Sequence, residues 1–303
     1  PMHGSPPEGA LRLTNCDKKG YHRAAGGVFM IRTDLHTHTL FSADGREDLR
    51  AMLDAAVRLG LQIFGTSEHF DYDYIAKRVR IDGKEVRQID APAYFSRARA
   101  LQKEYKGKIR YLVGCEFGYD DTSFVQERYR EIAERFRPDF IINSVHTCLG
   151  KDCYFADFFA GKSKQYAYNA YLYRVLESLE APYPYDVVAH IGYCSRHAPY
   201  PDPKLRYEEF ADVLDAILKE IVRRGKILEV NTSSKTAGSP FLPDTDILRR
   251  YRELGGRKVL FASDAHDSSR IGEKRDLVCA ALRELGFACL TVPDRGGHTE
   301  IPL

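Results

Sequence analysis

Histidine, aspartate and glutamate hold divalent cations through nitrogen and oxygen, and in this chain of 303 residues they recur in an ordered pattern. The segment Asp34-Leu35-His36-Thr37-His38 sets two imidazoles two residues apart. At the end of a β-strand such residues share one side of the pleat, because side chains alternate with period two, so both can grip one ion. Glu68-His69, Glu116, His146, His190 and Asp264-Ala265-His266 follow, each at the end of a short apolar run. A single histidine at a strand end is ordinarily a hydrogen-bonded structural residue, but six of the ten histidines occupy such positions, which that reading does not cover. Neutral imidazole and carboxylate suit Zn, Mn or Fe, and a donor set of about nine exceeds what one tetrahedral or octahedral ion needs. Two or three divalent ions bridged by carboxylates are therefore expected, an arrangement suited to hydrolysis and to phosphate esters in particular. The seven cysteines are scattered without a Cys-x-x-Cys pair. That argues against a closed structural zinc site, and Cys115, Cys148 and Cys194 read as small buried residues at strand ends.

Such a cluster needs a scaffold that brings distant segments to one face. Apolar runs rich in Val, Ile and Phe predict strands at 30–35, 62–66, 110–115, 140–145, 186–189, 227–231 and 259–263. Amphipathic stretches predict helices at 47–59, 92–105, 124–136, 164–179, 207–224, 244–254 and 274–285. Several of these end at Gly60, Gly107, Gly225, Gly255 or Gly286, where glycine accepts the left-handed cap conformation. Seven strand-helix units predict an α/β fold, a TIM-like barrel of seven strands, with 288–292 as a candidate closing strand. All strand C-termini of such a barrel open on one face, so the candidate ligands converge there. Two connections, 70–90 and 147–162, are long for loops of this kind and are expected at the active face or as surface elaboration.

Lys and Arg total 45 against 43 Asp and Glu, so the charge balance advertises no nucleic-acid partner. No apolar run approaches the roughly 20 residues that cross a bilayer, and the expectation is a cytoplasmic protein. Residues 1–29 mix Gly, Pro and charge without a period and are expected to be a flexible extension, upstream or expression-derived, ahead of a single barrel domain at 30–303.

Taken together, Asp34-Leu35-His36-Thr37-His38, Ser67-Glu68-His69, Gly114-Cys115-Glu116, Ser144-Val145-His146, Ala189-His190-Ile191-Gly192-Tyr193 and Ser263-Asp264-Ala265-His266 resemble the motifs of the PHP (polymerase and histidinol phosphatase) family. An ordered set over most of the chain is far more specific than one His-x-His. The resemblance implies a distorted (β/α)7 barrel with three metal positions. His36, His38, Glu116 and Asp264 would hold the first; Glu116, bridging, with His146 and His190 the second; Asp44, His69 and His266 the third. Asp44 could instead cap the helix that begins near Glu47. Glu68 would be a ligand or catalytic group, or would orient His69.

Within the family, the segments His190 to Arg196 and Glu229 to Ser234 are similar to those of histidinol-phosphate phosphatases, with departures at Gly192, where Asp is frequent, and at His197, where Tyr is frequent. The resemblance implies a phosphomonoesterase acting on a small phosphorylated metabolite, L-histidinol phosphate. Nuclease action on DNA ends and a non-catalytic polymerase-associated module are the alternatives. Arg196 is the candidate phosphate clamp, because a planar guanidinium can hold two oxygens at once. Asn231, Ser233 and Lys162 are further candidates for the substrate rim, and Asp71, Asp73 or Asp90 for acceptors of the amine and imidazole.

Overall fold

A computed structural model of the chain describes residues 30–81 and 83–303; the extension expected at 1–29 lies outside the described residues. Seven parallel strands follow one another in chain order: β1 (Thr33–Asp34), β2 (Ile63–Phe70), β3 (Arg110–Gly118), β4 (Phe140–Ser144), β5 (Val187–Val188), β6 (Ile227–Asn231) and β7 (Val259–Ala262). The sheet closes where the candidate ligands lie. Thr37 bridges Ala265, the His38 amide donates to the Ala265 carbonyl at 2.8 Å, and the Asp264 amide donates to the His36 carbonyl at 2.8 Å. Asp34, fully buried, clasps the same seam by accepting from the Ser263 amide at 3.0 Å and the Gly272 amide at 2.8 Å.

The connecting helices are α1 (Leu49–Arg58), α2 (Ala91–Glu104), α3 (Ser123–Phe136), α4 (Lys164–Ser178), α5 (Ala211–Arg223), α6 (Thr245–Glu253) and α7 (Arg275–Glu284). Their spacing of apolar residues explains their placement. In α5, Val213, Leu214, Ile217, Leu218 and Ile221 form one buried stripe, each such side chain stabilising the fold by roughly 1.5–3 kcal/mol. Local capping fixes where helices start. The Asp48 side chain accepts from the Arg50 amide ahead of α1, and Ser163 accepts from the Tyr166 amide ahead of α4.

Alternation along the strands divides the apolar residues into two cores. Ile63, Leu112, Phe140, Ile142, Val187, Ile227 and Leu260 fill the barrel interior, whereas Phe64, Val113, Leu228 and Val230 face the helices. Gly114 is required inside, because a Cβ there would stand 2.4 Å from the Phe140 ring. The strand expected to close the barrel at 288–292 does otherwise. β8 (Cys289–Asp294) pairs antiparallel with β9 (Gly297–Pro302), and its buried Val292 packs against the interior core. Arg110 at the start of β3 reaches Asp294 at 2.6 Å, so this hairpin stops the end of the barrel opposite the ligands. No helix among the described residues is long and apolar enough to cross a membrane.

Candidate metal centre

One buried carboxylate organises the C-terminal face. Glu116, near the end of β3, has five imidazole nitrogens around it: His69 Nδ1 at 2.8 Å, His36 Nε2 at 3.2 Å and His38 Nε2 at 3.5 Å from one oxygen, and His190 Nε2 at 3.0 Å and His146 Nε2 at 3.2 Å from the other. Asp264 stands opposite, 3.4 Å from His38 and 3.7 Å from His36. Asp264 adopts a positive φ of 54°, a strained conformation for a residue with a Cβ. His266 and His69 both stack on the His38 ring, at 4.3 Å and 4.1 Å. At the rim, Asp44 lies 3.0 Å from His266 Nε2 and 3.7 Å from His69 Nε2, with its side chain 61% exposed.

The donor set fits divalent cations. His36 Nε2, His38 Nε2, His69 Nδ1, His266 Nε2 and Glu116 Oε2 are buried and have no hydrogen-bond partner, an expensive arrangement unless a cation satisfies them. Four groups have ligand atoms within 4.8 Å of one another: His36, His38 and Asp264; His36, Glu116 and His190; His38, His69 and His266; and His69, Asp71 and His146. Burial acts against charge here, yet the carboxylates Glu229 and Glu116 raise His36 well above the ordinary imidazole value. Burial, with His69 and His266 alongside, pushes His38 down to about 3. Glu116 is held well below the usual carboxylate range, since His36, His69 and His146 outweigh its burial. A site of this kind takes up ions by displacing protons.

The residues expected beside the ligands divide three ways. Arg196 enters the cavity: its Nη2 donates to Asp264 at 2.9 Å and to Asn231 at 3.2 Å, while its buried Nε has no hydrogen-bond partner. Gly192, at φ 110°, starts the tight turn through Tyr193–Ser195 that aims it. Ser233 lines the cavity and donates to Asp264 at 3.0 Å. Asn231 stays behind the wall, holding Arg196 and donating to Glu229 at 2.7 Å. Glu68, expected as a ligand or catalytic group or as an orienter of His69, does not line the cavity. Its parity on β2 is opposite to that of His69, and both its oxygens are taken by Thr39 and Ser42. Ser42 in turn lies 3.2 Å from His38 Nδ1, so Glu68 positions that ring indirectly. Lys162 is not brought to the cavity, because its ammonium donates to the Phe158 carbonyl at 2.6 Å; Lys235 lines the cavity instead. Asp90 caps α2 by accepting from the Ala93 amide, and buried Asp73 accepts from Thr147, so of the three acidic candidates in the 70–90 connection Asp71 alone lines the cavity.

Sequence reasoning missed two acidic residues, Glu229 and Asp152, and assigned a third, Asp71, the role of a substrate acceptor rather than a donor to the cluster. Glu229, fully buried, accepts from His36 Nδ1 at 2.7 Å and from the His190 amide at 3.2 Å. A charge inside the apolar run of β6 was the available signal, since such a residue must find a partner. Asp71 follows His69 by two and so shares its side of the strand. Asp152 sits in a short hairpin, Thr147–Cys148 with Lys151–Asp152, after His146, and carried no signal. The cavity over the cluster measures about 340 Å³.

The chain belongs to the PHP domain family, whose pattern it matches over residues 34–233. Its barrel, with ligand candidates on the C-terminal face, is the architecture expected of that class. A probable histidinol-phosphatase of Clostridium acetobutylicum is 33% identical over 242 residues, covering 79% of this chain and 88% of that relative. The histidinol-phosphatase of Lactococcus lactis is 29% identical, covering 80% and 86%. A crystal structure of the Lactococcus lactis histidinol phosphate phosphatase, complexed with zinc, L-histidinol and phosphate, superposes with a TM-score of 0.74 at 26% identity, covering 88% of this chain and 98% of that one.

Proposed function

We propose that this chain is a metal-dependent phosphomonoesterase that hydrolyses L-histidinol phosphate to L-histidinol and phosphate in histidine synthesis. The observation that carries the reading is the ring of five imidazoles around Glu116, with unpartnered buried nitrogens, beneath a cavity that Arg196 enters. The similarity to histidinol-phosphatases along most of both chains supports the substrate. His36, His38, Glu116 and Asp264 would hold one ion, Glu116 with His146 and His190 a second, and His69, His266 and Asp44 a third, with Asp71 a further donor beside His69 and His146. Bound zinc, manganese or iron would supply an acidified water as nucleophile and positive charge opposite the phosphoryl oxygens.

The protein's own groups do the rest. Glu229 holds the His36 proton on Nδ1, which leaves the Nε2 lone pair directed at the cluster. Arg196, anchored by Asp264 and Asn231 and lying 4.9 Å over the Tyr193 ring, keeps Nε–H free to donate to a phosphoryl oxygen. Tyr74, Tyr154, Phe155 and Tyr193 line the cavity and displace water, which strengthens each charged contact inside it. A cavity of about 340 Å³ suits a small metabolite better than a strand of DNA. A cytoplasmic location belongs to the same proposal, as the place where such a metabolite is made and used.

Phosphate release by the metal-loaded protein tests this, with p-nitrophenyl phosphate and single-stranded DNA as the comparison substrates. Turnover of L-histidinol phosphate well above both is expected. Efficient cleavage of either comparison substrate with none of L-histidinol phosphate refutes the assignment.

A further inference from the structure

Asp44 differs from the other proposed ligands. It sits on a loop between β1 and α1 rather than at a strand end, and its side chain is 61% exposed, yet it lies 3.0 Å from His266 Nε2 and 3.7 Å from His69 Nε2. Something must hold that loop at the rim, because ordering a mobile ligand opposes the uptake of an ion. Buried contacts fix the two ends. Glu68 accepts from the Ser42 amide at 3.0 Å and the Ser42 hydroxyl at 2.6 Å, the Leu40 amide donates to the Glu47 carbonyl at 2.9 Å, and the Arg46 amide donates to the His266 carbonyl at 2.9 Å. Between these anchors the Ala43 and Asp44 backbones make no backbone hydrogen bond among the described residues. The peptide plane that joins Ser42 to Ala43 is therefore held at one point, the Ser42 carbonyl, and the group that holds it comes from outside the loop.

Arg87 is that group. Its Nη2 carries two N–H groups, and they reach the Leu40 carbonyl at 3.0 Å and the Ser42 carbonyl at 2.5 Å. An exposed arginine ordinarily faces water or a carboxylate, but among the described residues no carboxylate lies within ion-pair distance of this one. Arg87 belongs to the 70–90 connection, just after the hairpin that pairs Arg80–Ile81 with Lys84–Glu85, and Ile81 and Val86 of that stretch line the cavity. One guanidinium thus joins the cavity wall to the carbonyl two residues before Asp44.

We infer that Arg87 is a positioning residue for the ion at the rim, holding Asp44 beside His69 and His266 and coupling that ion to the cavity wall. The inference rests on the proposed metal centre and not on the identity of the ester. Its sign separates it from a simple charge effect. By Coulomb's law alone, removing a positive group near a cation site tightens the ion, whereas removing an anchor of its ligand weakens it. Coupling between two sites is reciprocal, so the ion steadies the wall as the wall steadies Asp44.

The test follows zinc binding without substrate, by calorimetry and elemental analysis, in wild type, Arg87→Met, which keeps an unbranched stem, Asp44→Asn and the double variant. The binding step that D44N weakens identifies the rim ion. R87M should weaken that step about tenfold, the lower end of the range for partners of metal ligands, and leave the other steps unchanged. In the double variant R87M should add little to D44N, since the anchor then has no carboxylate to place. Amide hydrogen exchange gives a second readout: filling the rim step should slow exchange over residues 84–88 in wild type and not in R87M. A rim step that R87M leaves unchanged or tightens overturns the inference. So does an equal loss at every step, which marks a general structural role, and exchange indifferent to zinc in wild type removes the coupling to the wall. If D44N moves no step, the rim position is absent and the inference falls with it. Because no ester is present, turnover of L-histidinol phosphate decides the functional reading separately.

Discussion

Replacing Glu229 with Gln tests whether a carboxylate outside the ligand set controls metal binding. Glu229 Oε2 accepts from His36 Nδ1 at 2.7 Å, and Oε1 accepts from Asn231 Nδ2 at 2.7 Å and the His190 amide at 3.2 Å, with all these groups buried. A glutamine keeps the shape but has one oxygen and one NH2. With its oxygen toward His36, the NH2 faces two donors, and each unpaired buried donor costs about 1–3 kcal/mol. With its oxygen toward Asn231 and His190, the conflict is confined to His36, which escapes by moving its proton from Nδ1 to Nε2. The second arrangement wins, and it places a proton where an ion would bind. Restoring the original tautomer against the NH2 again costs about 1–3 kcal/mol, so E229Q should bind its ion about 10–100-fold more weakly, the range typical of outer partners of metal-binding histidines. Equilibration in graded zinc buffers followed by elemental analysis measures this, with the thermal melt of the chelated protein as a check on folding. Superimposable zinc-binding curves for E229Q and wild type would falsify the tautomer argument.

Arg196→Lys keeps the charge but loses the planar fork, so kcat/KM should fall about 10–100-fold and inhibition by inorganic phosphate should weaken; unchanged phosphate inhibition rules out a clamp at Arg196. Gly114→Ala should cost about 1–3 kcal/mol in urea unfolding, because the added Cβ meets the Phe140 ring at 2.4 Å; an unchanged midpoint would show that Phe140 moves aside freely. Asp139 accepts from the Val113 amide, Arg99, Gln102 and Arg295, and these contacts outweigh its burial and hold its carboxyl below the usual range. A carboxyl lowered by folding contributes stability above its unfolded value near 3.8, and that contribution disappears as pH falls through the lower folded value. Asp139→Asn should therefore destabilise the protein at neutral pH and flatten its stability loss below pH ~4; parallel acid limbs for variant and wild type contradict this.

Much of the site was legible because a parallel barrel turns sequence order into convergence. Once His36, His38, His69, Glu116, His146, His190, Asp264 and His266 are recognised as strand-end residues, the fold leaves them one face on which to meet. The strand that failed, 288–292, shows the limit of the apolar pattern. Leu290 and Val292 are buried in a hairpin that stops the barrel, and an alternating apolar run reads the same whether its strand pairs with β1 or with β9. Glu68 is the opposite case. The alternation Ile63, Gly65, Ser67, His69 against Phe64, Thr66, Glu68 was present in the sequence, and it sets Glu68 on the face away from the cluster.

The sequence by itself determined which elements form and which side of each strand its donors occupy, since both follow from residue spacing along one chain. Only the tertiary structure decided the partners. Glu229 finds His36 across 193 residues of sequence, Asp34 clasps Ser263 across 229, and Asp152 accepts from Tyr74 and Tyr193, which lie on separate elements. Those contacts depend on distances and hydrogen-bond directions between elements, quantities fixed when the barrel closes and absent from any local pattern.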